Sequence, residues 1–110
     1  MFVFNHETKA VDLGGGVTRR VLSYANDLML VEVSMKAGSK GAVHQHPHHQ
    51  VSYIAKGSFR FNLNGDIRTV SQGDSIYIAP DLPHGIEALD DAIIVDTFSP
   101  AREDFLEQQA

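Results

Sequence analysis

The chain has no cysteine among its 110 residues. Disulfides and thiolate-bound zinc are thereby excluded, the redox compartment is left open, and histidine, carboxylate, amide and water remain as metal ligands. It has no apolar run near the roughly 20 residues that span a bilayer. Its start, MFVFNHETKAVDLGGG, lacks both a basic segment and a continuous apolar one. No signal peptide is read there, so the expected location is the cytoplasm, with no membrane partner. Basic residues are few, 9 against 14 acidic for a net charge of −5, and they cluster nowhere beyond Arg19-Arg20. Nucleic acid is therefore not expected as a partner, and an acidic small molecule needs a local cation to receive it. Linkers, low-complexity tracts and solenoid-length repeats are also missing. With a hydrophobic fraction of 43%, residues 1–110 are expected to bury one core as a single domain.

What the chain does have is short, evenly punctuated strand patterns. TRRVLSY (18–24) and LMLVEVSM (28–35) flank the turn AND, and the loop KAGSKGA (36–42) leads into a histidine-rich stretch. QVSYIA (50–55) and SFRFNL (58–63) follow. In the latter Phe59, Phe61 and Leu63 alternate with Ser58, Arg60 and Asn62, the period of a half-buried strand. NGD (64–66) is a hairpin signal because Asn and Gly tolerate positive φ. IRTV (67–70), SIYIA (75–79), the loop PDLPHG (80–85), IEAL (86–89) and AIIVDTF (92–98) complete the set. SPAREDFLEQQ (99–109) reads as a short helix with Ser99 as N-cap and Pro100 at its first position. Nine or ten short strands predict an all-β antiparallel sandwich or barrel with a short C-terminal helix.

HQHPHHQ (44–50) holds four of the six histidines. Strand parity puts His44 and His46 on one face about 7 Å apart at Cα, with Gln50 on the same parity. His84 follows a proline-flanked loop and could complete the set. Neutral imidazole suits Zn, Ni, Cu, Fe and Mn-type ions. His48 reads as a supporting or surface group, and His49 and His6 as surface. Near the other end, Ile94, Asp96 and Phe98 share a face of strand 92–98. A carboxylate between two inward apolar neighbours is costly unless it is paired, for instance with Arg102 or Arg20, or used in chemistry. Arg102, placed against the dipole at a helix start, is best explained by another task such as gripping a carboxylate.

The spacing Gly38-x5-His44-x-His46-x3-Gln50-x6-Gly57 resembles the first cupin motif. Gly73-Asp74-x4-Ala79-x-Asp81-x2-His84 resembles the second, with Ala79 and Asp81 in place of the usual Pro and Gly. The two motifs lie 15 residues apart. The resemblance implies a single-domain cupin, a double-stranded antiparallel β-barrel of jelly-roll type. It also implies that His44, His46, Gln50 and His84 bind one divalent ion per chain, of the Zn, Ni, Mn, Fe or Co kind. Most metal-binding cupins carry Glu where Gln50 stands. An amide leaves the ion its full +2 charge, which favours Lewis-acid chemistry on an anionic substrate over oxygen activation.

DLGGGVTRRVL (12–22), residues 28–61, PHGIEAL (83–89) and VDTFSPAREDF (95–105) are similar to the KdgF-type pectin-degradation proteins. His49 departs from the acid more usual before the glutamine. This second resemblance implies an enzyme that opens and ketonises 4,5-unsaturated monouronates from pectin or alginate breakdown. Asp96, Phe98 and Arg102 are then catalytic, Asp96 as general acid/base, Arg102 as anion anchor helped by Arg20 or Arg60, and Phe98 as a rest for the sugar. A homodimer is also implied. Three rivals stand beside this reading: a metal-dependent cupin dioxygenase, disfavoured by Gln50, a non-catalytic sugar-acid-binding cupin, disfavoured by Asp96 with Arg102, and a structural storage-type cupin, disfavoured by the intact set of three histidines.

Overall fold

The computed structural model describes residues 1–109. Ten strands and a C-terminal α-helix follow a short 3-10 turn at Asn5–Glu7. They are β1 Val11–Gly14, β2 Val17–Tyr24, β3 Met29–Met35, β4 Lys40–His44, β5 His49–Lys56, β6 Ser58–Leu63, β7 Asp66–Ser71, β8 Ser75–Ile78, β9 His84–Ala88, β10 Ala92–Ser99 and α1 Glu103–Gln108. They form a six-stranded sheet, β1-β2-β3-β10-β5-β8, and a four-stranded sheet, β4-β9-β6-β7. Every pairing is antiparallel, as a jelly roll requires. No helix among the described residues is long and apolar enough to cross a membrane.

The period-two patterns bury what they should. Ile54, Ile78 and Ile94 of the larger sheet meet Phe59, Phe61 and Ala88 of the smaller one in the main core. A second cluster, Val21, Met29, Val31, Phe98 and Ala101, is covered by Phe105 and Leu106 of α1. The Asn64-Gly65 pair turns β6 into β7 with φ of 50° and 90°, the positive values that its residue types permit. Gly57 has φ 72°, and a Cβ there would lie 2.8 Å from Ala92 Cβ and 2.9 Å from the Asp91 carbonyl oxygen. This close approach locks the β5–β6 turn against the start of β10.

Three expectations need correcting. The helix starts at Glu103, with Arg102 at the cap position and no side-chain capping bond, instead of at Ser99-Pro100. Ser99 is still in β10, opposite His49 of β5, so ladder pairing overrides a local Ser-Pro cap signal. Residues 36–42 are not all loop, because β4 begins at Lys40 and pairs with β9; β1, unforeseen, pairs with β2. Both strands are short and glycine-bearing, and neighbours supply the pairing that propensity does not. Finally, His84 opens β9 instead of ending a loop.

Candidate active site

The histidine stretch bridges the two sheets. His44 is the last residue of β4, Gln50 is the second residue of β5 in the other sheet, and His46 lies in the connection between them. A single strand therefore does not carry His44 and His46 together, as parity alone had suggested; a turn at Pro47 folds the stretch so that the rings converge. His84 stands directly across the β4–β9 ladder from His44. The ring centroids of His44 and His84 are 4.5 Å apart, those of His46 and His84 5.0 Å, and those of His44 and His46 5.7 Å. One ring nitrogen from each of the three falls within 4.8 Å of the others.

Hydrogen bonds prepare these nitrogens for a cation. His44 Nδ1–H donates to the Ala42 carbonyl at 2.9 Å and His84 Nδ1–H to the Leu82 carbonyl at 2.8 Å. Each Nε2 is left with its lone pair, the tautomer that backbone carbonyls impose on metal-bound histidines. His46 and His84 are buried. Burial, with the positive Arg102 as the next cause, pushes the His46 ring down to about 4, and burial also lowers His84. Both are therefore neutral near pH 7, the form that can ligate. His46 Nε2–H donates to Gln50 Oε1 at 2.9 Å; with that proton displaced, the two atoms stand at the spacing of adjacent ligands on an ion held at about 2.1 Å. Three imidazoles and an amide oxygen thus fit a divalent ion.

Gln50 does something that a glutamate could not. Its Nε2–H donates to Ser52 Oγ at 2.9 Å, and the Ser52 hydroxyl donates in turn to Asp96 Oδ1 at 2.6 Å. The amide nitrogen turned toward Ser52 leaves Oε1 on the histidine side. Gln50 and the His46 ring that it touches are therefore coupled through a fully buried serine to the carboxyl of Asp96.

Asp96 faces a cavity of about 250 Å³, whose lining includes His44, Gln50, His84, Phe98 and Arg102. Burial raises its carboxyl to about 6, against the lowering effect of the Ser52 and Gln50 hydrogen bonds. The structure thus brings all seven sequence-derived site residues together, with His46 set just behind the lining and its ring edge-on to Phe98 at 5.6 Å. The ion pair weighed for Asp96 is not formed, since its partners are Ser52 and Gln50. The Arg102 fork instead grips Asp104, Nε–Oδ1 at 3.1 Å and Nη2–Oδ2 at 2.9 Å.

The expected helpers are elsewhere. Arg20 reaches back to the Thr8 carbonyl, and Arg60 points out to Glu87 at 3.4 Å. His48 is half-buried beside Phe98, outside the three-histidine cluster, and exposed His49 bonds the Tyr77 hydroxyl at 2.8 Å. Two residues escaped the sequence reading, Ser52 and the buried Arg19, which lines the cavity. Parity carried a signal for both. Ser52 sits between Gln50 and Ile54 on the inward face of β5, and Arg19 sits between Val17 and Val21 on that of β2.

The cupin-domain family profile matches residues 31–98. The chain is also 36% identical over 107 residues to the pectin degradation protein KdgF of Dickeya dadantii (strain 3937), across 96% of this chain and 97% of that one. The chain belongs to the cupins, and among them to the KdgF type. The solved structure of KdgF from Halomonas sp. matches this cupin with a TM-score of 0.91 at 36% identity, over 96% of this chain and 97% of that one. An RmlC-like cupin from Shewanella frigidimarina NCIMB 400 matches with a TM-score of 0.91 at 42% identity, over 94% of each chain.

Proposed function

We propose that this cupin takes part in pectin or alginate breakdown by converting 4,5-unsaturated monouronates to their linear, ketonised form. The observation that carries the reading is the placement of the Asp96 carboxyl in one cavity with His44 and His84 of the three-histidine cluster. Its support is the 36% identity to a pectin degradation protein along 96% of the chain.

The reaction is an isomerisation. The bond from the anomeric carbon to the ring oxygen breaks, the anomeric hydroxyl loses a proton, and the unsaturated carbon C4 gains one. A group that exchanges protons near neutral pH suits both halves, and Asp96, raised to about 6, is such a group. The Ser52 hydroxyl donates to Oδ1 and fixes the carboxyl's orientation. Arg102, stacked 4.1 Å over Phe105, offers positive charge to the acid. Phe98 contributes an apolar ring to the lining against which the sugar rests. A divalent ion held by His44, His46, Gln50 and His84 would supply Lewis-acid polarisation of substrate oxygens. Loss of the ultraviolet absorbance of unsaturated galacturonate on adding purified protein is the expected result. Unchanged absorbance with metal-replete protein would overturn the proposal.

A homodimer is proposed on separate grounds. Leu30, Thr97, Val51 and Tyr77 form one cross-strand row on the outer face of the larger sheet. Val51, Tyr53 and Tyr77 are each about half exposed. A second copy laid on this face would cover them. Light scattering should give twice the chain mass, and Val51→Asp with Tyr53→Asp should halve it. A monomeric wild type would sink the idea.

A further inference from the structure

Arg19 has no role in the site as built so far, yet it is the most deeply placed cation of the chain. It is only 5% exposed, and it lines the same cavity as His44, Asp96 and Arg102. Its guanidinium carbon lies 3.8 Å over the Phe105 ring, which also carries Arg102 at 4.1 Å. Among the described residues its one hydrogen bond runs from Nη2 to Gln108 Oε1. Its Nε is buried with no partner, and no carboxylate stands within ion-pair distance. A buried charged donor left unsatisfied is rare and calls for an explanation.

The local charges do not balance. Two guanidiniums flank Phe105, while the one carboxylate that answers them, Asp104, is taken up by the Arg102 fork. Arg102 and Arg19 repel each other, and burial deepens the cost of the Arg19 charge. An anion entering the cavity would relieve both.

We infer that Arg19 is a ligand-recognition residue that makes, with Arg102, a second anion pole in the cavity, separate from the histidine cluster, for the carboxylate of a sugar acid. This deepens the proposed function, on which it rests for the identity of the acid. It assigns the two ends of the ligand, with the carboxylate toward the guanidiniums and the sugar oxygens toward the histidines and Asp96. The competing explanation is that Arg19 merely tethers α1 through Gln108.

Galacturonate is a suitable probe because it carries the carboxylate without the reactive double bond, and its methyl ester is the neutral control. Calorimetric titration of metal-replete wild type should show galacturonate bound about tenfold or more tighter than the ester, the strength of a charged hydrogen bond. Arg19→Met should lower that preference severalfold, to the share that Arg102 supplies, while leaving ester affinity and bound metal unchanged. Gln108→Ala, which cuts the tether and keeps the charge, should retain it. Equal loss in both variants would assign Arg19 to the tether and overturn the inference, as would a wild type indifferent to the carboxylate. Should Arg19→Met fail to fold, Arg19→Lys decides the matter: the preference survives if charge is the cause and falls severalfold if it is not. A carboxylate preference that depends on Arg19, in a protein that leaves unsaturated uronate untouched, would uphold this inference and reject the proposed reaction.

Discussion

Asp96→Asn is expected to slow turnover of unsaturated galacturonate by about 10²–10⁴-fold, the range for removing a general acid/base, while the metal content of the protein stays the same. The amide keeps the shape of the side chain and can still accept from Ser52, so the ligand chain through Gln50 stays intact. What it loses is the exchangeable proton. Retained activity with intact metal content would remove Asp96 from the chemistry. The same substitution carries a stability signature in metal-free protein. Folding raises the Asp96 carboxyl from the ordinary carboxylate range to about 6. Between about pH 4 and pH 6 the native state therefore holds a proton that the unfolded chain has released, and stability falls as pH rises through that window. Above it the wild type bears the whole cost, on the order of 3 kcal/mol. Asp96→Asn should accordingly melt higher than wild type at pH 8 and equal to it at pH 4. A gain at pH 4 as large as that at pH 8 would contradict the assignment. A variant that is more stable and inactive is the usual mark of a group kept for function.

His84→Ala should abolish the ion's effect on stability. An ion that binds the native state alone raises the melting midpoint by mass action, about 2.7 kcal/mol at a hundredfold excess over Kd. Wild type should therefore show a midpoint that climbs with added zinc or nickel and falls back with chelator. His84 faces His44 across the β4–β9 ladder and lies within 4.8 Å of both other histidines at the ligand atoms, so removing it leaves two imidazoles and an amide. The variant's midpoint should stay flat in metal, and elemental analysis after dialysis should find none. The comparison is of the metal-induced shift within each protein, because deleting a buried ring costs packing as well. A shift in the variant equal to that of wild type would show that the ion binds elsewhere.

Most of the strand inventory was legible because one face of each sheet is buried, and burial writes itself as alternation. Phe59, Phe61 and Ile94, Asp96, Phe98 were placed on the inward faces that they occupy. The same rule failed for HQHPHHQ, where the chain leaves one sheet and enters the other within a few residues. No period runs through such a crossing, and His44 and His46 meet through the turn at Pro47 instead of through strand parity. It also failed at Ser99-Pro100, where a local cap signal lost to ladder pairing with His49. Arg19 and Ser52 were missed for a different cause. Their inward parity is visible in the sequence, but parity alone does not separate a site residue from a satisfied buried polar group.

By itself the sequence determined the architecture class and the inward placement of the Asp96 carboxylate, and it singled out the histidines that cluster. Alternation, residue chemistry and motif spacing are local properties, and they persist in the unfolded chain. The tertiary structure alone decided which groups share a hydrogen bond and which share a cavity. The Gln50–Ser52–Asp96 chain joins β5 to β10, and the Arg19–Phe105–Arg102 stack joins β2 to the C-terminal helix. Such contacts depend on how two sheets and a helix pack over long sequence separations, and no short stretch of residues encodes that distance.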